Sequence, residues 1–299
     1  MTSSTKKSFG RKPSRIPILK NLIRNYPRGL GIIKEFVQNA DDAGASEIVI
    51  TLDLRSHTGK RLPDQRMTAL TGPSLLISNN QVFSESDLES IERIGESSKV
   101  EAGPKTGRFG LGFNTSYNIT DYPSFVTGRS IYCFDPHRDA CADGDDEGAQ
   151  WDLSELWGEQ TSDWPALFCA GGLQQKANDH PGTVFRLPLR DQTQARRSKI
   201  CNEPFLPSHF EEMIEQLWKL GPAILLFTRH LASITVSEIP AAGLSAQRTR
   251  LRFQTLNPKT VSASRKLLNK ATTGSLAKII ASWEQTPATL ARSDPKSLC

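Results

Sequence analysis

The stretch "GIIKEFVQNADDAG", residues 31–44, decides the fold of this chain. Apolar residues recur at 32, 33, 36, 37 and 40, the stripe of an amphipathic helix, and Gly44 is placed to end it. On an α-helix the positions i, i+4 and i+7 fall within about 60° of one another. Glu35, Asn39 and Asp42 therefore share a face, and that face borders the apolar stripe rather than opposing it. A carboxylate beside a core is costly unless it is paired or used. A solvated helix edge is the ordinary alternative, and this helix alone does not separate the two.

Outward from the helix, "EIVITLDL" (47–54) alternates as a half-buried strand, and a polar loop (55–73) leads to the short apolar strand "SLLIS" (74–78). Ser84 and Asp87 form a capping-box-like start for a helix with Leu88, Ile91 and Ile94 on one side. A glycine-rich polar loop follows, then the strand "SIYCFDP" (130–136), an acidic loop (139–150) and the strand "GTVFRLPL" (182–189). Ser208 with Glu211 reads as the cap of a further helix, interrupted at Gly221–Pro222, and "ASITVSEI" (232–239) as a last strand. Helices and strands mix without βαβ regularity, which predicts an α+β fold.

The chain has 299 residues, 37% hydrophobic and 23% charged, enough for a sizeable core. The longest apolar run, "AILLF" (223–227), is far too short to span a bilayer. Five cysteines, an odd number without a CxxC pair, fit reduced thiols and a cytoplasmic setting, with the nucleus also open. The net charge of +5 is uneven: residues 241–299 carry ten Lys/Arg against Glu284 and Asp294, which leaves the first 240 residues at −3. The expected organisation is a disordered basic leader (1–15), a globular domain (16–240) and a basic C-terminal tail or truncated following segment (241–299). Such a tail could meet nucleic acid or an acidic protein. In it, only Phe253 and Trp283 could stack on bases.

A second motif gives the helix face a use. "GRFGLGF" (107–113) is a GxxGxG loop, and glycines so spaced let backbone N–H groups approach an anion closely. It follows a polar loop instead of a first strand, so it is not a dinucleotide-binding fingerprint. ExxxNxxD on a helix, a short strand ending in a polar residue, this loop and the Gly182–Thr183 strand start occur here in order. Together they resemble the GHKL (Bergerat-fold) ATP-binding domain of heat-shock protein 90, MutL, type II topoisomerases and histidine kinases. The sacsin repeat, or Sacsin/Nov domain, is more similar still. "LIRNYPRGLGIIKEFVQNADDAGASEI", "LLISNNQVFSESDLESI", "GRFGLGFNTSYNITDYP" and "FDPH" carry that resemblance, over roughly residues 17 to 235.

The resemblance implies a two-layer α/β sandwich: a mixed, mostly antiparallel sheet with helices on one face and a nucleotide lid loop. It implies Glu35 as general base, Asn39 as Mg²⁺ ligand and Asp42 as a contact to the nucleotide. Gly107, Arg108, Phe109, Gly110, Leu111 and Gly112 would wrap the phosphates, with Lys99 or Lys105 in reach, and Thr183 would lie near adenine. One departure stands out. The family's usual adenine-contacting position is an aspartate in DxGxG, whereas "SNNQVF" supplies Asn79, or Asn80 with the register shifted by one, and no glycine. The "DPH" at 135–137 reads as a turn with structural hydrogen bonds. The expectation is an ATP·Mg²⁺-binding module, a slow ATPase with a chaperone-like role and client or co-chaperone partners. The alternatives are a nucleotide-gated interaction module without hydrolysis and, third, a nucleic-acid-associated protein using the basic tail.

Overall fold

The computed structural model describes residues 14–26, 28–92, 112–157, 162–241, 247–255 and 290–292. Helix α1 (Ile16–Asn25) leads into α2 (Leu30–Asp42), whose Ile32, Ile33, Phe36, Val37 and Ala40 are all at most 2% exposed. Gly44, at φ +83°, makes the left-handed turn that releases the chain into strand β1 (Glu47–Asp53). The amide of Asn80 staples that turn: its Oδ1 accepts from Ser46 N at 3.0 Å and its Nδ2 donates to Ser46 Oγ at 2.7 Å.

Strands β2 (Ser74–Asn79), β3 (Ser124–Gly128), β4 (Ser130–Phe134), β5 (Gly148–Asp152), β6 (His180–Pro188), β7 (Ser233–Ile239), β8 (Arg248–Thr255) and β9 (Leu290–Arg292) complete one nine-stranded sheet. Its order is β5-β4-β3-β6-β2-β1-β7-β8-β9. Among the described residues only β1 and β7 run parallel; every other pairing is antiparallel. The α+β class and the mostly antiparallel sheet stand as expected.

One sheet face carries the long helices. Leu75 and Ile77 of β2, Phe185 and Leu187 of β6 and Ile234 of β7 pack against α2 and against Phe210, Met213 and Leu217 of α6 (Pro207–Phe227). Phe36 meets Phe185 edge-on at 5.0 Å between centroids. Burying one such side chain stabilises the fold by about 1.5–3 kcal/mol. The other face is covered too, by short elements. Leu76, Val126 and Val184 meet Met67 and Leu70 of the 3₁₀ turn Gln65–Leu70, Trp164, and Phe168 of the turn Pro165–Gly171. Because β2 and β6 are apolar on both faces, a cover on one face alone would have left Leu76 and Val184 in water.

Two expectations change. The start foreseen at Ser208 moves to Pro207, which occupies the first helical position of α6, and the helix runs through Gly221–Pro222 to Phe227. An interior proline costs a helix about 3 kcal/mol, but Leu217, Leu225 and Leu226 are fully buried on either side of it. The domain boundary at 240 also falls too early. Strand β8 extends the sheet beside β7, with Phe253 fully buried near Trp218 and Arg250 bridging Glu211 and Glu238. Among the described residues no helix is long and apolar enough to cross a membrane.

The end of α6 is tied to the end of α2 by Asp41. Its buried carboxylate accepts from the backbone N–H of Arg229 (2.7 Å), His230 (2.6 Å) and Leu231 (2.9 Å). Asp42, one residue on, is exposed. Asp41→Ala should therefore cost about 3 kcal/mol, since three backbone donors lose a charged acceptor. Asp42→Ala should stay within about 0.5 kcal/mol. Urea titration at unchanged m-value reads the difference; equal losses would mean the clamp does not hold these elements together.

Candidate functional site

Glu35 sits on the half-buried side of α2, and the residue it meets closes the glycine-rich motif. Gly112 has φ −65° and ψ −46°, a backbone open to any amino acid. What a side chain there would meet is Glu35: a Cβ on Gly112 would lie 2.2 Å from Glu35 Oε2 and 3.1 Å from its Cδ, so the carboxylate would have to move aside. The carbonyl of Gly112 is held by Thr115, whose N donates at 3.0 Å and Oγ1 at 2.7 Å. Next in the chain, the Phe113 ring lies 5.7 Å from Phe185 and 5.4 Å from Phe134, so the foot of the loop is anchored in the core. Burial pushes the Glu35 carboxyl above its ordinary value. Glu35 also lines an open cleft of about 670 Å³ with Arg28, Gly31, Lys34, Thr115 and Gln216.

The other two residues of the ExxxNxxD face diverge from it. Asn39 is half-buried, and its side-chain amide makes no hydrogen bond among the described residues. Asp42 turns toward α6, where it lines a cleft of about 480 Å³ with Lys34, Gln38, Leu220, Phe227 and Arg229. Burial and the neighbouring Asp41 raise its carboxyl above the usual range, partly offset by Arg229 and by a hydrogen bond from Gln38. Neither cleft includes Asn39, Asn79 or Thr183. Gly107, Arg108, Phe109, Gly110 and Leu111, with Lys99 and Lys105, lie outside the described residues.

The sheet brings Asn79 and Thr183 together as register partners at the ends of β2 and β6. Gly182 makes this closeness possible, since a Cβ there would lie 2.4 Å from the Asn79 carbonyl oxygen. Thr183 is fully buried, and its hydroxyl donates to Gln81 O at 2.8 Å. Thr127 Oγ1, 2.9 Å away, must then donate to Thr183, while it accepts from Phe83 N at 2.9 Å. The hydroxyl pair thus pins residues 81–83, and the Phe83 ring inserts against Phe125 and Phe185. Thr183 is the register partner of Asn79, and its buried hydroxyl is spent on Gln81 and Thr127, so its part is to position its neighbours. Of the two asparagines, Asn80 is the staple described above, and Asn79 accepts from Gln81 N at 2.9 Å.

Sequence reasoning missed three of the residues that fix this arrangement: Thr127, Asp121 and Arg190. The fully buried Arg190 pairs with Asp121 and donates to the carbonyls of Tyr117 (2.6 Å) and Asn118 (3.2 Å), just beyond Gly112. His137 Nε2 lies 3.2 Å from the second Asp121 oxygen. Burial alone would raise the Asp121 carboxyl, but His137 and Arg190 outweigh it and hold it below the ordinary value. The only sequence signal was an arginine directly after an apolar strand. Asp135 of "DPH" is a structural hub, accepting from the backbone of Asp139, Ala140, Cys141 and Ala142 at 2.8–3.2 Å.

Comparison with known proteins places the chain. A family model described as "Sacsin domain" matches residues 13–251. Human sacsin is 36% identical over 235 residues, which covers 77% of this chain and 5% of sacsin. Among solved structures, the N-terminal domain of a DNA repair protein aligns with a TM-score of 0.41 at 14% identity, covering 79% of this chain and 55% of that one.

Two measurements test the contact between Glu35 and Gly112. Because the folded-state pKa of Glu35 is raised, the ionised carboxylate destabilises the fold at neutral pH. That penalty fades as pH falls through the raised pKa toward the unfolded value near 4.5. Glu35→Gln should therefore be more stable than wild type at pH 7 and equal to it in acid; a gain constant across pH would refute the shift. Gly112→Ala should destabilise the wild type but cost much less in a Glu35→Ala background, a coupling that a double-mutant cycle measures. Additive losses would mean that the two residues do not touch.

Proposed function

The chain belongs to the sacsin domain family, and from that premise we propose that it is an ATP- and Mg²⁺-binding module, a slow ATPase whose nucleotide state governs contacts with client or co-chaperone proteins. The observation that carries the reading is the seat of Gly112 on Glu35. It joins the foot of a GxxGxG loop to a carboxylate whose proton affinity has been raised by burial. A base with an elevated pKa removes a proton from water more effectively than an ordinary carboxylate.

In this reading Glu35 orients and deprotonates the attacking water. The amide of Asn39, without a partner among the described residues, offers an oxygen to Mg²⁺, and one protein ligand with phosphates and waters suits that ion. The metal would neutralise charge on the phosphates. Backbone N–H groups around Gly107–Gly112 would hold those phosphates, and Asn79 would meet the base. Asp42, turned toward α6, is left to act through water or to serve the neighbouring cleft. A chaperone-like role in the cytoplasm belongs to the same proposal.

Binding without turnover is the second reading, favoured by how closely Gly112 covers the Glu35 carboxylate. Nucleic-acid binding through the basic C-terminal region is the weaker alternative, because Phe253, one of its two stacking candidates, lies in the core.

ATP titration with and without Mg²⁺, alongside a phosphate-release assay, separates these readings. Glu35→Gln should keep ATP affinity and lower turnover by about 10² or more, the usual contribution of a general base. Wild-type turnover in that variant would remove Glu35 from the chemistry. Tight ATP binding with no release by wild type would favour the gated module.

A further inference from the structure

A further cleft, of about 600 Å³, opens between α1 and residues 198–203, and its lining is basic. Lys20 and Arg24 lie one turn apart on the face of α1 that borders it, and Arg28 and Lys199 join them from other parts of the chain. Like charges four residues apart weaken a helix, so this pairing gives the fold nothing. Lys199 is fixed opposite α1 by its neighbours. Ser198 Oγ accepts from Ile200 N at 3.1 Å and from Cys201 N at 3.0 Å, and Ile200 is buried in one cluster with Ile23 of α1. Lys20, Arg24 and Lys199 form no ion pair among the described residues, whereas Arg15, Arg55, Arg66, Arg138 and Arg250 each meet a carboxylate. The one carboxylate in the lining, Glu203, is engaged by Arg28, which also donates to Pro204 O at 2.9 Å. Three positive charges are left uncompensated around one concavity.

A cleft of this size suits a small ligand or a headgroup. A phosphate group carries about −1.5 to −2 near neutral pH, so two of them match the three charges where one carboxylate does not. Arginine adds the geometry, since its fork meets phosphate oxygens in pairs. Among the described residues no aromatic side chain lines the cleft, so single-stranded nucleic acid would find no platform for stacking its bases. We propose that this cleft binds a compact group bearing two or more phosphates, held by Lys20, Arg24 and Lys199. The site is separate from the one proposed for ATP and does not rest on that reading: Glu35, Asn39, Asn79 and Thr183 do not line it. Arg28 stands between the two, lining this cleft on one side and the Glu35 cleft on the other.

Calorimetric titration of the full chain with inositol trisphosphate tests this, with inositol monophosphate, a polyglutamate peptide and a single-stranded thymidine oligomer as competitors. The trisphosphate should bind at least about tenfold more tightly than the monophosphate, and the double variant Lys20→Glu, Arg24→Glu should lose at least about tenfold in affinity for it. Lys60→Glu with Lys176→Glu makes the same change in net charge at exposed positions outside the cleft and should keep wild-type affinity. Equal losses in the two double variants would reduce the binding to general charge attraction and overturn the proposal. Tighter binding of the peptide or the oligomer, or no binding of the trisphosphate, overturns it too. Loss of ATP·Mg²⁺ affinity in the Lys20, Arg24 variant would make this cleft the triphosphate site and overturn its separateness. Trisphosphate binding by a wild type that does not bind ATP would instead remove only the preceding reading. Capture by vesicles containing phosphatidylinositol bisphosphate, lost in the Lys20, Arg24 variant, would assign the phosphates to a lipid headgroup; binding of the soluble trisphosphate without such capture would assign them to a free ligand.

Discussion

The buried pair between Arg190 and Asp121 is the constraint on which the site depends. Arg190 follows the end of β6 and is wholly enclosed, where an unpaired guanidinium would be prohibitive. It is tolerated because its donors are committed to Asp121 and to the carbonyls of Tyr117 and Asn118, while His137 Nε2 lies 3.2 Å from the other Asp121 oxygen. Removing one partner from such a pair costs about 3–5 kcal/mol. That is a large share of the roughly 5–15 kcal/mol that holds a domain together. These bonds fasten residues 113–121 to the sheet, and Gly112 is the next residue back. Arg190 thereby holds the segment that begins at Gly112, the residue seated on Glu35.

The same strand governs the other half of the site. Seven residues before Arg190, Thr183 ties the end of β2 to β3 through Gln81 and Thr127, and Gly182 lets the Asn79 carbonyl approach. Strand β6 and the arginine that follows it therefore fix both the segment after Gly112 and, through register, the end of β2. Between them lies an aromatic cluster of Phe36, Phe83, Phe113, Phe125 and Phe185, in edge-on and tilted contacts. Phe83 occupies a loop where glycines would leave freedom, so this end of the site is braced by packing as well as by hydrogen bonds.

Elements whose periodicity was strong were legible in the sequence: α2, β1, β2, β6 and β7 lie within a few residues of where apolar spacing put them. Where a different signal competed, the reading failed. Strand β8 alternates as Arg250-Leu251-Arg252-Phe253, yet its charge made it look like part of a basic tail. The proline in α6 signalled a break that packing of the flanking leucines overrides. For the site, helical geometry put Glu35 beside the core, but it could not show that Asp42 faces α6. Hydroxyl networks such as Thr127–Thr183 carry no sequence signature, because their members are brought together by register between strands distant along the chain.

Two doublets show how the fold divides adjacent identical residues. Asp41 and Asp42 are about 100° apart on α2, so one turns inward to clamp the turn at 229–231 and the other lies at the open cleft beside α6. Asn79, the last residue of β2, and Asn80, in the bend after it, divide in the same way. Asn80 staples the turn before β1, and Asn79 keeps two N–H groups without a partner among the described residues. Composition cannot distinguish the members of either doublet. Backbone direction can: Asp41 and Asn80 meet backbone N–H groups distant in the chain and tie elements together, whereas Asp42 lies at an open cleft and Asn79 bonds only within its own turn, at Gln81 N.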